Sequence, residues 1–109
     1  MKTLRIDNMV RGWFVGAFEP TAYHTNEFEV GYQTHRKGAI DHHFHPIVTE
    51  INLVVSGSMI LHGKQLGPGD IFILEPYEIT NPEFLEDTSI VCVKVPSIND
   101  KIRLEIKDR

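Results

Sequence analysis

Apolar and polar residues along this chain alternate in short steps. Runs rich in β-branched and aromatic residues recur: WFV from Trp13, FEVGYQT from Phe28, IVTEINLVV from Ile47, MILH from Met59, IFIL from Ile71, SIVCVKV from Ser89 and IRLEI from Ile102. Such runs favour strands, because branched and aromatic side chains pack well on a pleated surface. Around and within them stand Gly12, Gly16, Pro20, Gly31, Gly38, Pro46, Gly57, Gly63, Pro68, Pro76, Pro82 and Pro96. Helices of about ten residues do not fit between most of these breakers. The pattern predicts an all-β fold, a sandwich or a barrel. Two turns are specific. Ser56-Gly57-Ser58 predicts a hairpin between INLVV and MILH. Gly67-Pro68-Gly69-Asp70 predicts a tight, preset turn into IFIL, since proline fixes its own φ and glycine tolerates a positive one.

Period-two alternation also sorts side chains by face. Glu50, Asn52 and Val54 share one face, and Ile51, Leu53 and Val55 share the other. His43 and His45 share a face in an extended segment, with His42 and Phe44 pointing away. Pro46 ends that extension, and a turn can carry the chain to Glu50. Two imidazoles and one carboxylate then converge. Three such ligands suit a divalent transition metal and leave positions open for water or substrate. The bland reading of the same residues is a polar loop, since a His-x-His spacing also arises by chance.

Composition narrows the function. A length of 109 residues predicts one domain over 1–109. A net charge of −4 argues against nucleic acid or an anionic membrane as partner. Cys92, the single cysteine, makes no intramolecular disulfide and reads as a buried thiol. No apolar run of about 18 residues occurs. The opening MKTLRIDNMVRG has no apolar signal core, so a cytoplasmic location is the expectation. His35, Arg36 and Lys37 form a dense basic patch, read as a solvated turn or as a site for an anionic group. Trp13, Phe14, Phe18, Tyr23 and Phe28 read as core or dimer contacts. No Ser/His/Asp set, P-loop or G-x-G-x-x-G fingerprint is present, and no catalytic residue is assigned.

Gly38, His43, His45, Glu50 and Gly57 resemble the first cupin motif, G-x5-H-x-H-x3,4-E-x6-G, with one residue fewer after the first glycine. Gly67-Pro68-Gly69-Asp70 and IFILEP resemble the turn and strand of the second motif, G-x5-P-x-G-x2-H-x3-N. LEDT and SIVCVKVPS are similar to the tail of small single-domain cupins. The resemblance spans residues 38–96, with the N-terminal strands in 1–37. It implies a double-stranded β-helix, or jelly-roll barrel, with a site in the barrel mouth. By resemblance His43, His45 and Glu50 are the metal ligands of motif one. The third histidine, from motif two, is missing: its position falls on Thr80, or on Asn81 if the loop carries one extra residue. Water, Asn81, Tyr77 or Glu78 then completes the shell, or the site holds a ligand without metal. The resemblance implies a cupin that binds Fe, Mn, Ni or Zn and a small polar metabolite such as a carbohydrate derivative, with Asn52, Tyr77, Thr80 and Asn81 as its contacts. The alternative is an accessory or ligand-binding cupin without metal. Small cupins commonly pair through an N-terminal strand, so a homodimer is also implied.

Overall fold

The computed structural model describes residues 1–105. Its strands are β1 (Trp13–Val15), β2 (Glu29–His35), β3 (His43–Phe44), β4 (Thr49–Ser56), β5 (Met59–Leu61), β6 (Lys64–Leu66), β7 (Ile71–Leu74), β8 (Glu83–Phe84), β9 (Thr88–Val95) and β10 (Ile102–Arg103). One 3-10 turn, Ile6–Asn8, precedes them. Among the described residues no helix is long and apolar enough to cross a membrane.

The strands form a five-stranded antiparallel sheet ordered β1-β2-β9-β4-β7, a three-stranded sheet ordered β6-β5-β8, and a small β10-β3 pair. The core lies between the two larger sheets. Val54, Leu74 and Ile90 come from the first, and Met59, Leu61, Leu66 and Phe84 from the second. The expected all-β jelly roll is the fold observed. The alternation along β4 is also as expected: Glu50, Asn52 and Val54 are buried, while Ile51, Leu53 and Val55 are exposed.

The hairpin expected at Ser56–Ser58 does not form. β4 pairs with β7 and β9, whereas β5 pairs with β6 and β8. Gly57 therefore turns a corner from one sheet into the other. Its φ is +92°, and a Cβ there would stand 2.4 Å from the Asp87 carbonyl oxygen. Only glycine satisfies both conditions. The last predicted run is shortened to β10, and Ile106 lies outside the described residues.

The inner faces change character along the strands. On β4, buried Val54 gives way to Asn52 and Glu50. On β9, Ile90 gives way to Cys92 and Lys94. One end of the barrel is thus filled with hydrocarbon, and the other carries buried polar groups. Burying such groups costs free energy unless each finds a partner, so the polar end is where a site belongs.

Candidate metal centre

His43 stands on β3, His45 just after it, and Glu50 at the start of β4. All three are at least nine-tenths buried, with exposures of 5%, 6% and 9%. His45 Nε2 lies 3.3 Å from Glu50 Oε2, and His43 Nε2 lies 3.7 Å from the same atom. The two rings stand edge to face at 5.0 Å. One ligand atom from each residue falls within 4.8 Å of the others.

Both imidazoles are oriented from behind. His43 Nδ1 lies 2.8 Å from the Asp41 carbonyl oxygen and 3.2 Å from Asp41 Oδ1. His45 Nδ1 lies 2.7 Å from Asp100 Oδ1. Those acceptors require a proton on each Nδ1, which leaves the Nε2 lone pairs facing inward. Asp100 is itself anchored, since its Oδ2 accepts from the backbone amides of Ile47 and Val48 at 2.8 and 2.9 Å. Lys101 Nζ pairs with Asp41 Oδ1 at 2.8 Å. Glu50 is held on its other oxygen, Oε1, by the Cys92 thiol at 3.2 Å. Burial pushes that thiol far up, so it remains a donor.

The chemistry of this donor set fits a cation. Two imidazole lone pairs and a carboxylate oxygen aim at one another, and Glu50 Oε2 has no hydrogen-bond partner. Without positive charge among them the three would repel. Without metal, a proton supplies it. Burial lowers the His43 imidazole, but the nearby Asp41 and Glu50 carboxylates overcome burial and raise it to about 9. Glu50 is driven the other way. Burial raises its carboxyl, and the close imidazoles of His43 and His45 hold it well below the usual carboxylate range. Asp41 follows Glu50: burial raises it, and His43 and Lys101 bring it lower.

These residues line a cavity of about 590 Å³. Asn52 and Thr80, both expected as ligand contacts, are in its wall. Asn52 is 5% exposed and its Nδ2 has no partner. Thr80 bridges to His43 through both backbone hydrogen bonds, and its Oγ1 sits 3.4 Å from His43 Nδ1. The position expected for the missing histidine is therefore beside His43. Tyr77 and Asn81 are elsewhere. Tyr77 has φ +68°, is 70% exposed, and lays its ring beside Phe44 outside the cavity. Asn81 is exposed and off the cavity wall. His42 also stays out of the cavity, as its alternation requires.

Sequence reasoning missed Asp41 and Asp100 as orienting groups. It also grouped His35 with Arg36 and Lys37, whereas β2 turns His35 inward, stacked on Phe84 at 4.5 Å. Burial lowers the His35 imidazole, so it is neutral. The inward parity of Glu29, Gly31 and Gln33 was the signal that could have found it.

No family model matches the sequence, and no curated protein matches it. Solved structures do match. An uncharacterised conserved protein with a double-stranded β-helix domain from Klebsiella pneumoniae is 23% identical, with a TM-score of 0.70 over 96% of this chain and 93% of its own. Two RmlC-like cupins match as well, one from Shewanella frigidimarina at 22% identity and a TM-score of 0.61, over 70% of this chain and 72% of its own. The chain folds as a small cupin. DMSP lyase DddQ from Ruegeria pomeroyi shares that fold at 17% identity and a TM-score of 0.66, over 92% of this chain and 55% of its own. In this fold the His43–His45–Glu50 group is compatible with a bound metal. A divalent metal held there would supply Lewis acidity toward a ligand oxygen or a bound water.

Proposed function

We propose that this cupin binds a divalent transition metal through His43 Nε2, His45 Nε2 and Glu50 Oε2, and presents it to a small polar molecule in the adjoining cavity. The observation that carries the reading is the convergence of three inward lone-pair atoms, with both Nδ1 positions already tied to acceptors. Asn52 and Thr80 contact the ligand. Cys92 and Asp100 position Glu50 and His45. The fold likeness to a lyase selects no reaction, because cupin-type barrels host unrelated chemistries. Elemental analysis of tag-free protein tests the proposal. Equimolar Fe, Mn, Ni or Zn is expected, and His45→Ala abolishes it. Failure to take up any of the four metals overturns it and favours the metal-free ligand-binding alternative.

The reading includes a homodimer. Its support is the outer face of the five-stranded sheet, where Ile51, Leu53, Ile71, Ile73 and Val95 are exposed side by side on β4, β7 and β9. A second copy covers an apolar face of this kind by two-fold self-association.

A further inference from the structure

The charge of the cavity wall is opposite to that of the chain. The net charge is −4. Yet the wall carries Arg11, Lys94, Lys101 and Arg103 against only Asp41 and Glu50. Two of the four cations are already matched: Lys94 to Glu29 at 3.3 Å, and Lys101 to Asp41 at 2.8 Å. The guanidinium groups of Arg11 and Arg103 have no acidic partner within 4 Å among the described residues. Glu50, the remaining acid, faces the two histidines.

Arg103 is placed by the sheet. It is the cross-strand partner of His43 in the β10–β3 pair, so both side chains leave the same face. Arg11 lies at the turn before β1, where its carbonyl accepts from Gln33 Nε2 at 2.8 Å. A third group also lacks a partner. Asn52 Nδ2, nine-tenths buried in the same cavity, is a donor without an acceptor. Leaving it so is costly unless a ligand oxygen fills the gap.

We infer that the cavity takes a small oxyacid, with its carboxylate on Arg103, Arg11 adding a second positive charge, and another of its oxygens accepting from Asn52 Nδ2 beside the histidines. A guanidinium suits a carboxylate because its planar N–H pairs match two oxygens at once. The inference rests on the metal-centre reading only for where that second oxygen lies.

The test compares acids with neutral counterparts: D-glucuronate against D-glucose, and lactate against 1,2-propanediol. Each pair differs by a carboxylate in place of a hydroxymethyl group. Binding to the full chain is followed by amide and side-chain NMR shifts, on metal-free and on zinc-treated protein. In at least one pair the acid binds about tenfold tighter than its neutral partner, and it shifts the Asn52 side-chain amide. Arg103→Ala removes that preference, Arg103→Lys restores part of it, and Arg11→Ala reduces it. Equal affinity within both pairs, no binding by any of the four compounds, or an unchanged preference in Arg103→Ala overturns the inference. Acid preference without uptake of Fe, Mn, Ni or Zn sinks the metal centre and leaves the oxyacid site standing. Zinc uptake without acid preference does the reverse.

Discussion

Asp100 shows how much of the candidate metal centre lies beyond its three ligands. One carboxylate oxygen fixes the His45 tautomer, and the other is held by two backbone amides. Asp100→Asn keeps the shape but forfeits the strong acceptor. Metal affinity should fall by about 10–100-fold, read by chelator competition, with the fold intact by circular dichroism. Protons compete for the same centre. In the metal-free protein His43 is raised from 6.5 to about 9, so its contribution to stability is complete below pH 6.5 and is lost as pH rises through 9. The apo melting temperature should carry a decline across that interval, absent in His43→Gln, while metal affinity rises over the same range. The convergence of His43, His45 and Glu50 and the inward positions of Asn52 and Thr80 were legible, because motif spacing and strand parity are local signals. Asp100 and Lys101 were not, since their partners lie 55 and 60 positions away. Tyr77 was misplaced because its left-handed backbone turns the ring outward, against the ordinary preference of a tyrosine.

At the scale of elements, the corner at Gly57 is the sharpest test. Ser-Gly-Ser between two apolar runs looks like a local reversal, yet nothing in those three residues specifies which strand the next one pairs with. That choice was made by burial: Met59 and Leu61 find the core from the second sheet. Gly57→Ala meets both a positive φ and the Asp87 carbonyl. It should destabilise the fold by at least ~1–3 kcal/mol in thermal or urea unfolding. Thr80 offers a gain-of-function counterpart. Its side chain shares a face with His43 across an antiparallel bridge. Thr80→His should therefore add an imidazole to the centre and tighten zinc binding in a chelator competition; unchanged affinity would show that position to be out of reach.

For the molecule as a whole, the all-β pattern made the fold class legible, and the motif located the polar end of the barrel. The apolar outer face was less so. Ile51, Leu53 and Val55 alternate with buried residues on β4, and alternation alone does not say which apolar face stays uncovered. Ile73→Lys places a charge on that face, on the edge strand β7. Light scattering should show the parent protein as a dimer and this variant as a monomer with an unchanged melting profile at low concentration. The order of the five-stranded sheet has one more consequence, for how the protein is made. β9 is the central strand, between β2 and β4, although it follows both by many residues. On a ribosome, the β1–β2 and β4–β7 pairs emerge before the strand that joins them, and Asp100 and Arg103 emerge later still. His45 and Glu50 are thus translated well before Asp100 and Cys92, which orient them. A nascent chain thus carries the three candidate ligands before the barrel that brings them together has closed.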